Sequence, residues 1–467
     1  MRRWIAEGYK APYNSHMLEL QAQTLIVFFS DSHIGGDRGC DAFESPEEVE
    51  ALFEELRARE EPVELILAGD FFDFLQISDA LEGTNRASLT MSRPEYQPLF
   101  SSLKRFKATE GKRVIYLPGN HDAEGWWNPE IQETLREEGL VDEFPYYYAA
   151  SMPVGDERRI IYCEHGNQVD PANVVEDYRD RLDTPLGYHV VTDFTRRVAP
   201  FGKISGGLDL SELAMVYPLV AIPRWVASRY FYDFIGKALA YLLLPLLGIN
   251  AVFRVISYLR ARSRGVPSRG VVGDLQGLPG GRTPLIAFAL FSLTNLTLFA
   301  IFFLVVRRAV RKALESMSPD EGPGYRPEDA QGLIEEMLRG DTGPPMAPSI
   351  DPKTIDVFVS GHTHIPSLTE LERRDGRRAV IVNSGCFLRQ LNPISPRLKG
   401  PPVFVSRFVL THARVYARDG SLHVELWEHP KRARQKLSRI ERLLLWGRRP
   451  PELSSDASPR VRATATL

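Results

Sequence analysis

The sequence predicts an α/β fold whose chemistry sits at strand ends. Three observations lead there: short apolar runs recur along the chain, each ends in a polar cluster, and helical stretches fall between the early ones. The first run is Leu25–Phe29, followed by Ser30-Asp31-Ser32-His33. A helix is predicted from Ser45 to Arg59, opened by Ser-Pro and acidic residues, as suits a helix N-terminus. VELILAGD (63–70), RVIYLPGNHD (113–122) and RIIYCEHG (159–166) then repeat the pattern. It resumes far downstream with TIDVFVSGHTH (354–364) and AVIVNSG (379–385), and a hairpin around Arg418-Asp419-Gly420-Ser421 closes the set.

Composition narrows the function classes. At 467 residues the chain is long enough for about two to four structural units. Net charge is −3, from 57 basic and 60 acidic residues, so a whole-surface nucleic-acid binder is not expected. The cysteines, Cys40, Cys163 and Cys386, are too few and too far apart for a disulfide framework, and no Cys-x-x-Cys pair offers a thiolate zinc site. Cys163 reads as a small buried apolar residue of its strand. The stretch Met1–His16 lacks the apolar run of a secretory signal.

Between His165 and Gly361 the strand pattern is interrupted by an insert with two apolar segments. Leu285–Val306 holds 22 residues without a charge, and as a helix would be about 33 Å long, enough for a bilayer core of about 30 Å. Ala238–Phe253 is 16 uncharged residues with Pro245 and Gly248, short for a span unless flanking residues such as Ile235 extend it. Arginines and lysines flank both segments, which fits anionic headgroups but does not fix an orientation. The organisation expected is therefore a first domain part at 20–170, an insert at 171–349 with candidate membrane segments at about 235–255 and 284–306, a second domain part at 350–430, and a basic helix with a disordered tail at 431–467.

The polar clusters share one chemistry. Asp31 and His33, Asp70 and Asp73, Asn120 and His121, His165, and His362 and His364 each follow a predicted strand. Strands side by side bring their ends together, which makes one basin of carboxylate, imidazole and amide ligands without sulfur. That set suits Mn²⁺, with Fe or Zn²⁺ as alternatives. Gly69, Gly119, Gly166 and Gly361 beside these clusters suit a chain that turns sharply and approaches an ion closely.

The blocks Asp31-Ser-His33, Gly69-Asp70-x-x-Asp73, Gly119-Asn120-His121-Asp122, His165-Gly166 and Gly361-His362-Thr363-His364 resemble, in order and content, the calcineurin-like metallophosphoesterase superfamily. The resemblance implies two packed mixed β-sheets flanked by helices, a four-layer αββα sandwich, here with a large apolar helical insert. It implies two divalent ions, one held by Asp31, His33 and His364, the other by Asn120, His165 and His362, with Asp70 bridging. Two such ions clamp a phosphate and lower the pKa of a water molecule. His121 would protonate the leaving group or stabilise its charge, Asp122 would orient that imidazole, and Asp73 would be either a partner of the ligands or a helix cap.

The position of the insert resembles that in the UDP-2,3-diacylglucosamine diphosphatase branch, where a helical lid grips acyl chains. Two residues depart from that branch: His121 stands where it carries Arg, and Asn167 follows His165-Gly166 where it carries Asp. The expected substrate is a phosphoester or pyrophosphate, lipid-linked or otherwise amphiphilic, with membrane association; the alternatives are a general phosphatase or phosphodiesterase with the insert as an anchor only, or a membrane interaction protein with a vestigial phosphoesterase domain. The metal site needs residues from before and after the insert, so both lie on one side of any membrane, expected to be the cytoplasmic side, and the number of spans is zero or two.

Overall fold

A computed structural model describes residues 17–37, 41–77, 85–198, 203–204, 208–217, 221–237, 327–340, 343–373, 375–397, 400–446 and 458–467, with isolated positions between 241 and 312. The strands before the insert are β1 (Leu18–Glu19), β2 (Leu25–Phe29), β3 (Val63–Ala68), β4 (Lys112–Leu117), β5 (Tyr148–Val154) and β6 (Glu157–Cys163). Within the insert β7 (Lys203–Ile204) and β8 (Leu208–Asp209) form a small hairpin. After it come β9 (Ile355–Ser360), β10 (Ser367–Glu372), β11 (Arg378–Asn383), β12 (Phe387–Ile394), β13 (Val403–Arg418), β14 (Ser421–Glu428) and β15 (Arg460–Thr466).

They build two sheets. One has the order β1-β5-β6-β9-β11-β10; the other runs β15-β14-β13-β2-β3-β4, with β12 also on β13. Period-2 alternation explains why they stack. Ile26, Phe28, Ile66, Ala68, Ile115 and Leu117 turn inward against Tyr148, Ile161, Cys163, Val357, Val359 and Val380 of the other sheet. Leu25, Val27, Phe29, Leu65, Leu67, Val114 and Tyr116 turn outward, under helices α1 (Pro46–Arg57) and α2 (Gln97–Lys107). Cys163 is buried between the sheets, the small apolar role expected of it.

The strands that precede the polar clusters are parallel within each sheet: β2, β3 and β4 in one, β6 and β9 in the other. Parallel strands collect their carboxyl ends on one edge, and there the chain leaves the core as loops. At the Arg418–Ser421 hairpin, Asp419 (φ 53°) and Gly420 (φ 72°) are both left-handed, the geometry that matches strand twist in a two-residue turn.

Three expectations are corrected here. Within the tail expected to be disordered, Arg460–Thr466 form β15, which pairs antiparallel with β14. Its alternating RVRATAT pattern turns Ala463 and Ala465 into the core and leaves Arg460 and Arg462 exposed, and it satisfies the open edge of β14. The basic helix is short, α6 by chain order after α3 (Pro129–Glu137), α4 (Ile222–Lys237) and α5 (Pro327–Arg339), and runs only from Arg439 to Leu444. A capping box of Ser438 and Glu441 opens it, and Leu444 packs on α4. Ile235 does not extend an apolar segment, because it is buried with Phe231 and Tyr232 against Val403, Val405 and Leu445.

The insert is thus anchored at its near end. Ser228 Oγ and Tyr232 Oη donate to the carbonyls of Pro402 and Pro401 at 2.6 and 2.5 Å. Arg229 is buried between Glu212 at 3.3 Å and Glu441 at 3.2 Å, which ties insert and C-terminal segment through one charge. Removing one partner of such a buried cluster costs about 3–5 kcal/mol. α5 returns the chain with Ile334 and Leu338 packed into the outer core. Both candidate membrane segments, at about 235–255 and 284–306, lie largely outside the described residues. Among the described residues no helix is long and apolar enough to cross a membrane.

One buried pair makes stability depend on pH. Arg414 Nε donates to His412 Nε2 at 2.9 Å, so His412 carries its proton on Nδ1 and donates it to His429 Nε2 at 3.1 Å. Both rings are neutral in this arrangement. Burial and then Arg414 push His429 down to about 4, against a weaker pull from Glu55, and burial holds His412 well below the usual range. Above the unfolded value of about 6.5 neither state binds the proton. As pH falls from there to about 4, the unfolded chain takes up a proton that folded His429 refuses, and stability declines by up to about 3 kcal/mol. Urea midpoints measured in EDTA from pH 7.5 to 5 are expected to fall more steeply for the natural chain than for His429→Gln; equal slopes would refute this assignment.

Candidate metal centre

Every ligand candidate from the sequence reaches the same edge of the sandwich. Asp31 follows β2, Asp70 follows β3, Asn120 follows β4, His165 follows β6, and His362 and His364 follow β9. All six, with His33, are buried or nearly so. Backbone bonds lock the loops together: Asp31 N donates to Gly69 O at 3.2 Å, His33 N to Asp70 O at 2.9 Å, and Gly361 N to His165 O at 2.8 Å. Across the two sheets, His362 N donates to the Asp31 carboxylate at 3.0 and 3.1 Å.

The backbone is strained where these side chains converge. Asp31, His33, Asp70, His362 and His364 all have positive φ, between 49° and 64°, and among the described non-glycine residues only Asp419 shares that trait. Left-handed backbone at such residues costs on the order of 1–3 kcal/mol each and persists where surrounding structure enforces it, typically at functional sites. Two glycines permit the crowding. A Cβ on Gly119 would lie 2.1 Å from Asp70 Oδ1, and one on Gly361 2.3 Å from Asp31 Oδ2.

Two groups of side chains are close enough to hold an ion each: Asp31, His33 and His364, and Asp70, His165 and His362. In the first, His364 Nε2 is 3.2 Å from Asp31 Oδ1 and from His33 Nε2. In the second, His165 Nε2 is 3.3 Å from Asp70 Oδ2. Asp70 Oδ2 is also 3.6 Å from His33 Nε2, so this carboxylate stands between the groups. A third combination, His33, Asp73 and His121, shares His33 with the first. There Asp73 Oδ1 lies 3.0 Å from His121 Nδ1, so Asp73 is a hydrogen-bond partner.

The residues fit divalent ions. Asn120 Oδ1 and His165 Nε2 are buried atoms that make no hydrogen bond, an arrangement that costs free energy unless something is bound. His165 Nδ1 donates to Ala68 O at 2.9 Å, which leaves the lone pair on Nε2. His362 Nε2 is engaged with Asp170 Oδ2 at 3.0 Å, which leaves Nδ1. The charge balance agrees. Burial would lower His165, but Asp70 and Asp31 push it up to about 10. Burial would also lower His121, but Asp73 and Asp70 push it up to about 9. Carboxylates that hold protons on imidazoles this firmly attract cations, and a metal displaces the proton.

One of the expected roles needs revision. Asp122 does not orient His121. Its carboxylate accepts from Phe71 N at 2.9 Å, Gly119 N at 2.7 Å and Tyr116 Oη at 2.5 Å, so it braces the loops after β3 and β4. The His121 ring is held by Asp73, which also stands 3.6 Å from Nδ1 of the candidate ligand His33 and caps the turn at Phe74–Gln76 by accepting from Gln76 N. Sequence reasoning missed Asp170, five residues beyond His165 in a loop without a motif; it bonds His362 across 192 positions of chain. Asn167 serves the fold, accepting from Tyr178 Oη at 3.0 Å.

Two mixed sheets stacked face to face gather acidic and imidazole side chains at the carboxyl ends of their parallel strands, a candidate site for divalent ions. Residues 24–254 match the family model of the calcineurin-like phosphoesterases. No curated protein matches the chain. Over residues 24–254 the chain carries the calcineurin-like phosphoesterase domain, and it is a metal-dependent phosphoric ester hydrolase. The match ends before His362 and His364, and the fold brings those two back to the site.

Proposed function

We propose that the chain hydrolyses a phosphoester or pyrophosphate bond in an amphiphilic, lipid-linked substrate at a membrane face, with two divalent ions, Mn²⁺ first among them. Asp31, His33 and His364 would hold one ion and Asn120, His165 and His362 the other, with Asp70 shared. Bound there, the ions supply the charge that draws phosphoryl oxygens and makes a nucleophilic water available near neutral pH. His121 turns Nδ1 to Asp73 and so presents Nε2 to the departing oxygen as proton donor. Asp73 keeps that ring in place, and Asp122 holds the two loops at fixed separation.

The observation that supports an amphiphilic substrate is a run of exposed apolar side chains in the segment that follows the His165–Asp170 loop. Leu182, Leu186, Val190 and Phe194, four residues apart, are 83%, 67%, 50% and 55% exposed. They follow the loop that carries His165 and Asp170. Arg196, at the end of the same helical stretch, donates to Ile77 O at 2.9 Å, next to the turn capped by Asp73. Exposed apolar side chains in this segment suit an acyl or prenyl chain better than water.

The test is hydrolysis by the purified protein with Mn²⁺ of a chromogenic phosphomonoester, a phosphodiester and a UDP-linked diacyl sugar, each with an EDTA control. Preference for the lipid-linked substrate, lost in a Leu186→Ser, Val190→Ser, Phe194→Ser variant that still cleaves the simple esters, is the expected result. Turnover of simple esters alone would overturn the lipid-linked reading and leave the phosphoesterase assignment standing.

A further inference from the structure

Three of the four imidazoles in the candidate centre have a polar partner on the ring nitrogen turned away from the ligand atoms. These are His165 with Ala68 O at 2.9 Å, His362 with Asp170 at 3.0 Å, and His33 with Asp73 Oδ2 at 3.6 Å. Such partners fix the plane of a ligating histidine. His364 differs. Its Nε2 turns inward to Asp31 and His33, and among the described residues no hydrogen bond reaches its Nδ1. The ring instead lies against Tyr217, with centroids 5.9 Å apart and planes 20° from parallel.

Tyr217 belongs to the insert. Its N–H donates to Leu391 O at 3.0 Å, and Asn392 Nδ2 donates to its carbonyl at 3.4 Å. Val216 before it bridges to Leu391, and Met215, Val216 and Trp225 pack with Leu391 and Phe404. The position of the Tyr217 ring is therefore set by how the insert docks on β12.

We propose that Tyr217 is a positioning residue for the metal centre: by stacking, it holds the His364 imidazole in the plane that other ligands owe to a hydrogen bond, so the insert completes the site for one ion. The proposal rests on His364 being a ligand, and not on which substrate is cleaved. The insert is thereby coupled to the centre, since any movement of it away from β12 withdraws the support of one ligand.

The experiment is titration of the metal-free full-length protein with Co²⁺, followed by visible absorption and by calorimetry, for the natural chain, Tyr217→Phe and Tyr217→Ala. Tyr217→Ala is expected to weaken one of two binding events by about 10–100-fold and to alter its spectrum, with the other event unchanged. Tyr217→Phe, which keeps the ring, is expected to bind as the natural chain does. Unchanged binding in Tyr217→Ala would overturn the proposal, as would equal weakening of both events or a Phe variant as weak as Ala. Hydrolysis by the Co²⁺-loaded natural chain is measured alongside. Two bound ions without turnover would count against the hydrolytic reading and leave the Tyr217 result to stand.

Discussion

Asp70→Asn is expected to lower Mn²⁺-dependent kcat by about 10³-fold, the loss of several kcal/mol of metal-borne stabilisation. Asp70 Oδ2 lies 3.3 Å from His165 Nε2 and 3.6 Å from His33 Nε2, so it stands between the two ligand groups, where a bridging carboxylate would sit. Its other oxygen accepts from His121 N at 2.8 Å. An amide keeps the shape and can still accept that hydrogen bond, so the fold is expected to survive; what it loses is the negative charge that two close cations need between them. Elemental analysis of the purified variant is expected to show fewer than two ions per chain. A variant that keeps both ions and normal turnover would show that Asp70 does not bridge.

His121→Ala should act differently. Here the metal content is expected to stay at the natural level, while kcat falls by about 10²–10⁴-fold for alkyl phosphate substrates, whose leaving oxygen needs a proton. With p-nitrophenyl substrates the fall should be much smaller, because that leaving group departs unprotonated. The dependence of rate on leaving-group pKa is therefore the readout, and it should steepen in the variant. A uniform fall across leaving groups would place His121 in binding or charge stabilisation instead.

Much of this centre is legible in the sequence, and for a physical reason. The candidate ligands Asp31, Asp70 and His165 sit where a strand stops, and a buried strand announces itself as an apolar run such as LIVFF or VELILA. The transition from run to polar cluster marks both the element and the site. What escapes lacks such a transition. Asp170 is an acidic residue in a loop, and only the folded chain reveals His362 as its partner. Tyr217 is one aromatic among many in the insert, and its meaning depends on where the insert docks. Asp122 looks from its motif like a partner of His121, yet backbone donors from the loops after β3 and β4 and the hydroxyl of Tyr116 in β4 claim it first. β15 is misread because its strand face uses alanine, a poor strand former, between arginines and threonines; an open neighbouring edge recruits it all the same.

The strand order has a consequence in time. β9, the neighbour of β6, and β13, which pairs with β2, both follow the insert in sequence. While a ribosome is still translating the insert, β2, β3 and β4 can already pair, but each sheet lacks an inner strand and Asp31 has no His364 to face. The long interval between the two halves makes this closure a high-contact-order step, and such steps are slow. Newly made chains should therefore pass through a stage with exposed sheet edges and half a set of ligands. Metal captured then would be held loosely, and firm retention of the ions should begin only when the last third of the protein has been made.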